Sequence, residues 1–390
     1  MSKPFRFCVV TTHPIQYMAP WFRALSQDPE FELEVIFFRE LDAVQQGAGF
    51  KQAFSWDIPL TDGYEHRTLH VAAGVWGLPR LLARLRKAIL ARPRDAVLVT
   101  GWNEPGLIAA APLIRALALP LLLRGDSNNL HQRARFTCLC HRLFLSLASA
   151  IVVVGKANRR FYLDNGVSVI RLFDGAHFVE SERMLAMARR HGAKRERLRT
   201  EFGFRDEDFV FVFVGKHVTI KRPMLLVEAA TLARRRGAPA ALLFAGSGEL
   251  TGALRQRARE LGVPAHFTGF LNQTELWRAY LPADAFVLPS DYESWGLVIN
   301  EALLFGLPVI VSDQVGCGPD LVIEGETGFL FSGGAEGLAD VMTRLLHDRD
   351  RVCKMGARGR RLVLEKYSMP VAMEGLKAAL RAVCGRRHEK

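Results

Sequence analysis

The run Phe286-Val-Leu-Pro-Ser-Asp-Tyr-Glu-Ser-Trp-Gly-Leu-Val-Ile-Asn-Glu301 decides the reading of this chain. Val287 and Leu288 close a buried strand, Pro289-Ser290 breaks it, and Gly296 opens a helix whose first N–H groups have no partner within the helix. Such an end is ready to take an anion. Glu293 lies on the loop and Glu301 further into the helix. A phosphate at the helix end and a sugar beside it would therefore meet acceptor groups from both sides. That suits a nucleotide-sugar, with amides for the pyrophosphate and carboxylates for sugar and ribose hydroxyls. The plain alternative is a solvated acidic loop followed by a helix-capping carboxylate.

The run continues as Ala302-Leu-Leu-Phe-Gly306-Leu-Pro308-Val-Ile-Val-Ser312, a helix stopped by glycine and a strand started by proline. With it go Val214-Gly215-Lys216, Lys221, Ala245-Gly-Ser-Gly248, Phe267-Thr-Gly269, Ala283-Asp-Ala-Phe-Val-Leu-Pro-Ser290 and Glu324-Gly-Glu-Thr-Gly-Phe-Leu330. In this order, from Val214 to about Phe331, they resemble the donor half of glycosyltransferase family 4, retaining enzymes of the GT-B fold. Its hallmark is a glutamate, seven residues and a second glutamate. The resemblance implies an α/β protein of two Rossmann-like, doubly wound parallel-sheet domains facing a cleft, with a nucleotide-diphosphate sugar held mainly by the second. It implies Glu293 on sugar hydroxyls, Glu301 on the ribose, and the amides of Trp295, Gly296, Leu297 and Val298 on phosphate or sugar. Lys216 and Lys221 would neutralise the departing pyrophosphate. Where the family more often has arginine, Lys216 keeps the charge without the planar fork.

At 390 residues the chain is comfortable for two domains. Its longest apolar runs are too short to span a bilayer, and Phe7-Cys-Val-Val ends at Thr11-Thr-His-Pro without a secretory core, so the expected location is the cytoplasm. The six cysteines show neither metal-ligand spacing nor a disulfide framework. Cys138 and Cys140 point to nearly opposite sides of a helix, so zinc is not expected there. A formal charge of +12 and a pI near 9.7 imply attraction to something anionic. Nucleic acid has only that charge in its favour, with no motif or aromatic-basic interleaving. From Trp76 to Arg94 leucines recur at helical spacing among Arg80, Arg84, Arg86, Lys87 and Arg92. This is the pattern of a helix lying on an anionic membrane, or of an ordinary surface helix packed on its own sheet.

Short apolar strands alternate with helices throughout, the pattern of parallel sheets covered on both faces. Phe7–Thr12, Leu33–Phe38, Ala96–Thr100, Leu119–Leu123 and Ile151–Val154 form one predicted series. A second comprises Phe209–Val214, Ala241–Phe244, His266–Thr268, Ala285–Leu288 and Val309–Val311. Between them, from about Asp174 to Arg205, the alternating charges read as an exposed helix and linker. The expected division is 1–180 for an acceptor-binding domain, 181–368 for a donor-binding domain, and 369–390 for a helix that, by resemblance, crosses back onto the first.

Lys216 and Lys221 follow a strand apolar at every position, at the carboxyl end where ligands of parallel sheets bind. Gly246 and Gly248 also end a strand. The next glycine, Gly252, breaks the dinucleotide spacing, so NAD is not expected. The turn is read as letting the backbone approach the nucleotide, and the resemblance puts Phe270 and Leu271 near the base. Asp206-Glu-Asp208 and Asp348-Arg-Asp350 stand in polar connections away from these motifs; no metal and no other cofactor is expected.

The first half departs from the family. Thr12-His-Pro-Ile-Gln-Tyr-Met-Ala-Pro20 replaces a usual glycine pair, leaving His13 as the acceptor-side candidate. Leu123-Arg-Gly-Asp-Ser127 stands where a histidine is usual, so Asp126 is assigned a sugar hydroxyl and Arg124 an acidic group. Trp102 offers a ring to a sugar face. The expected function is transfer from a nucleotide-sugar to a glycan or lipid-linked acceptor, in cell-surface polysaccharide or glycoconjugate synthesis. A degenerate binding scaffold and a nucleotide-sugar epimerase on the same fold stand as alternatives.

Overall fold

The structure is a computed structural model that describes residues 3–71, 74–346 and 349–388; Asp348 of the Asp348–Asp350 pair lies outside them. The chain divides into two compact units. One comprises Met1–Asp42, Ile58–His177 and Met369–Lys390, the other Ala43–Asp57 and Phe178–Ser368. The insertion of Ala43–Asp57 into the second unit crosses the expected 1–180 division.

The first unit is built on a seven-stranded sheet: β1 Phe5–Thr11, β2 Phe31–Phe37, β3 His66–Thr68, β4 Ala96–Val99, β5 Leu121–Leu123, β6 Ala150–Val153 and β7 Leu172–Asp174. They lie in the order β3-β2-β1-β4-β5-β6-β7, and every pairing is parallel. The second carries β8 Phe209–Val214, β9 Ala240–Ala245, β10 Ala265–Gly269, β11 Ala285–Leu288, β12 Val309–Ser312 and β13 Gly328–Phe331. Their order is β10-β9-β8-β11-β12-β13, again all parallel. β8 reads Phe-Val-Phe-Val-Phe-Val and is buried at every position, because helices cover both faces and leave no polar side to alternate with. The strand order reverses beside β1 and beside β8. The carboxyl ends of β8 and β11 therefore flank the crevice where doubly wound sheets bind ligands.

Sequence patterning missed β3, β7 and β13. All three are sheet edges, and β3 and β7 are three residues long and partly exposed. Edges of this kind carry little apolar signal. The stretch read as an exposed helix and linker is instead partly buried. It forms helices Ser181–His191 and Arg195–Glu201, burying Met184, Leu198 and Arg199. In Leu78–Leu90 the apolar stripe of Leu81, Leu85, Ala88 and Ile89 is spent on the first unit's core. The ordinary-helix reading of that segment therefore holds. The last helix, Met369–His388, lies on β6 and β7. A Cβ at Gly375 would come within 2.1 Å of the Asp174 carbonyl oxygen, so only glycine lets that helix approach so closely.

Candidate active site

At the carboxyl edge of the six-stranded sheet, β8 runs into Gly215 at φ +153° and β9 into Gly246 at φ +131°. A Cβ on Gly246 would lie 1.9 Å from the Gly215 oxygen, and one on Gly248 2.5 Å from the His217 oxygen. The missing side chains thus serve the approach of two neighbouring turns, locked by His217 N–H donating to Ser247 O at 3.0 Å. His217 is fully buried. Its Nδ1 bonds Thr251 Oγ1 at 2.9 Å, and burial followed by the Arg255 charge lowers its pKa to about 4.

The two lysines differ. Lys216 is half-buried, with its ammonium 5.1 Å from the centre of the Phe50 ring; burial first and the charge of Lys221 second lower its pKa. Lys221 closes the short 3₁₀ turn Thr219–Lys221 and donates to Glu293 Oε1, forming an ion pair across the β8–β11 crevice. Ser290 Oγ donates to the same oxygen at 3.1 Å. The Glu293 backbone is held on both sides, its N–H donating to Gln314 O at 3.2 Å and its carbonyl accepting from Gly316 N at 3.1 Å.

Gly296 takes φ +98°, the left-handed region that favours glycine, and turns the chain into helix Leu297–Leu304. That helix begins at Leu297, so the amides of Leu297 and Val298 precede its hydrogen-bond ladder, while Ile299 N–H already donates to Gly296 O at 2.9 Å. The Trp295 side chain is committed elsewhere. It is buried, with Nε1 donating to Asn300 Oδ1 at 2.9 Å. Glu301 accepts the Tyr280 hydroxyl on Oε2 at 2.6 Å. Burial raises its pKa, and the Tyr280 bond and the Arg183 charge oppose that rise.

Phe270 and Leu271 follow β10, and Phe270 sits in an aromatic group that sequence reasoning did not anticipate. Phe54 lies over it at 4.1 Å between ring centres and Phe50 meets it edge-on at 5.0 Å. The spacing of Phe50, Phe54 and Trp56 was a usable signal. It went unread because nothing local ties it to residue 270. Lys216, Lys221, Glu293 and Gly296 thus belong to the segments that follow β8 and β11, and Glu301 to the second turn of the helix that Gly296 opens. Tyr280, Ser290 and His217 join them.

In the first unit, Arg124 is buried at the end of β5, donating through Nη2 to Ala176 O at 2.8 Å and lying 5.1 Å from the Trp21 ring. Burial lowers its pKa to about 10 against the opposing fields of Tyr17 and Asp126. His177 is buried near it, its pKa driven well down by burial and then by Arg124, and Tyr17 meets its ring edge-on at 5.9 Å. Tyr17 and His177 were not singled out from sequence. His13 is half-buried, bonded through Nδ1 to Thr12 Oγ1 at 2.9 Å, its pKa lowered by burial and by Arg39, which is itself paired with Glu104. Trp102 packs among Phe144, Phe161 and Tyr162, so its ring serves that aromatic core. Among the described residues no group of three or more His, Cys, Asp or Glu is placed to hold a metal ion.

Charged groups at the switch-point edge of a doubly wound parallel sheet form an arrangement suited to ligand binding, and comparison with known proteins shows what the chain resembles. Residues 194–362 match the family model of glycosyl transferases group 1. Most of the second unit is thus similar to glycosyl transferases group 1, and the two Rossmann-like sheets have the GT-B fold. A GDP-mannose-dependent alpha-(1-6)-phosphatidylinositol monomannoside mannosyltransferase of Mycobacterium tuberculosis is 35% identical over 185 residues, 45% of this chain and 48% of that protein. The chain spans about half the length, or less, of the curated relatives it first matches. In fold it resembles a glycosyltransferase from Rickettsia africae, with a TM-score of 0.76 at 13% identity over 98% of this chain and 99% of that one. It also resembles Anabaena Alr3699/HepE, solved in complex with UDP-glucose, with a TM-score of 0.69 at 14% identity over 96% and 98%.

Proposed function

We propose that the protein is a retaining glycosyltransferase of family 4 that moves a sugar from a nucleotide-diphosphate sugar to a glycan or lipid-linked acceptor, in cell-surface polysaccharide or glycoconjugate synthesis. The observation that carries this reading is the Lys221–Glu293 pair, with Lys216, the helix opened at Gly296 and Glu301 along the same sheet edge. The second unit holds the donor. Its pyrophosphate meets Lys216, Lys221 and the first-turn amides, while Glu293 takes sugar hydroxyls and Glu301 the ribose. Cations and amides aimed at the leaving group stabilise the charge that grows as the bond breaks. The anomeric carbon–phosphate oxygen bond breaks, the acceptor oxygen bonds to the same face of that carbon, and the acceptor proton passes to a phosphate oxygen. No dedicated base and no metal are required.

The test is a thermal-shift screen of UDP-, GDP- and ADP-sugars followed by transfer assays. A ligand at a hundred times its Kd adds about 2.7 kcal/mol of stability, and failure of every nucleotide-sugar to stabilise the protein would refute the reading. Transfer should persist after exhaustive EDTA treatment. Loss restored by manganese or magnesium would refute metal independence.

The first unit takes the acceptor, with Arg124, Asp126 and His13 as candidates, and works in the cytoplasm at an anionic membrane face. No described helix is long and apolar enough to cross a membrane. Support for surface binding comes from helix Arg135–Ser146, which buries only Leu145. It exposes Phe136, Leu139, Cys140 and Leu143, spaced along one stripe. From residue 127 to residue 163 there is no Asp or Glu, whereas Arg133, Arg135, Arg142, Lys156, Arg159 and Arg160 are present. An apolar stripe flanked by cations fits an anionic interface. Vesicle co-sedimentation should show salt-sensitive binding to anionic but not neutral lipid, abolished in Phe136→Ser/Leu143→Ser; equal, negligible binding to both would remove the membrane from the proposal.

A further inference from the structure

Ala43–Asp57 lies in sequence between β2 and β3, yet it belongs to the second unit and is fastened along the edge just described. Ser247 Oγ donates to the Phe50 carbonyl at 2.7 Å, Asn272 Nδ2 to the Ser55 carbonyl at 2.8 Å, and the Thr274 N–H to Asp57 Oδ2 at 3.0 Å. These anchors follow the ends of β9 and β10. Between them Phe54 covers Phe270, and Phe50 lies both against Phe270 and under the Lys216 ammonium. A side chain on Gly49 would come within 3.0 Å of Lys216 Nζ, so the segment closely confines that lysine.

We infer that Ala43–Asp57 is a wall of the donor site, in which Phe54 and Phe50 are positioning residues for two different parts of the donor. Phe54 acts through Phe270 on the Gly269–Leu271 loop and so on the nucleobase. Phe50 acts through Lys216 on the pyrophosphate. A lysine four methylenes long samples many rotamers, and an aromatic face beside it removes most of them before the ligand arrives. The inference rests on the donor-site reading proposed above. It differs from a purely structural strap, which would affect all ligands alike.

The experiment is calorimetric titration of nucleoside mono- and diphosphates, UMP against UDP and GMP against GDP, on the parent protein and three variants. Phe54→Ala should weaken mono- and diphosphate together by about tenfold, the worth of a well-formed aromatic pair, and Phe54→Tyr should restore both. Phe50→Leu should weaken the diphosphate by about fivefold and leave the monophosphate within about a factor of two. Parent-like affinities in Phe54→Ala and Phe50→Leu, or equal losses for both ligands in Phe50→Leu, would overturn the inference while leaving the donor site standing. Absence of any nucleoside diphosphate binding by the parent protein would overturn the donor-site reading and this inference with it.

Discussion

Tyr280 donates its hydroxyl at 2.6 Å to Glu301, a residue of the helix that opens at Gly296. Burial raises the pKa of Glu301 and this bond holds it back. A carboxyl raised on folding contributes stability that is present below its unfolded value and is lost as pH rises through its folded one. Removing the bond steepens that loss. Tyr280→Phe keeps the ring stacked on Phe305 at 5.0 Å, and should cost about 1–3 kcal/mol at pH 7 and less at pH 4. Urea denaturation at the two pH values checks this; equal costs at both would show that the bond does not govern Glu301.

Lys221 and Glu293 share a contact across the crevice, so neither can be removed without leaving the other a half-buried charge. Lys221→Ala should lower kcat by about a hundredfold, as expected for loss of a charge that matters most in the transition state. Glu293→Gln should be comparably impaired, and the double variant less impaired than the sum. Strictly additive effects in a double-mutant cycle on transfer would separate their roles.

Asp284 gathers three donors within the second unit. Arg195 reaches its Oδ1 at 2.6 Å, while Arg199 at 3.1 Å and the Val210 N–H at 2.8 Å reach Oδ2. Asp284→Ala strands a buried guanidinium and should cost about 3–5 kcal/mol. A loss under about 1 kcal/mol in thermal or urea unfolding would contradict that.

His217 has a folded pKa of about 4 against an ordinary 6.5. A depressed histidine contributes stability that is full above 6.5 and is lost as pH falls towards 4, because the unfolded chain takes the proton first. The contribution amounts to about 3 kcal/mol. His217→Asn should flatten the stability profile between pH 6.5 and 4, measured by denaturant midpoints. An unchanged slope would place the acid sensitivity elsewhere.

Legibility in the sequence tracked how local each signal was. Phe209–Val214 and Ala285–Leu288 match the predicted strands residue for residue because six- and four-residue apolar runs between polar turns have few other readings. Gly296 and Glu293 were readable because helix opening and loop position lie within one short run. Arg199 was misread as linker, since nothing near it in sequence announces Asp284.

The sequence alone determined two parallel-sheet units, the placing of Lys216, Lys221 and Glu293 after strand ends and that of Glu301 within the following helix, because strand, turn and helix preferences act over a few neighbouring residues. Only the tertiary structure decided which groups those residues meet. It paired Lys221 with Glu293, put Tyr280 under Glu301, and laid Phe54 on Phe270 from 216 residues away. It also spent the leucines of Leu78–Leu90 on the core and left Phe136, Leu139 and Leu143 exposed. Both helices are amphipathic in sequence. Which apolar stripe is buried depends on the sheet face each meets, and periodicity carries no record of that partner.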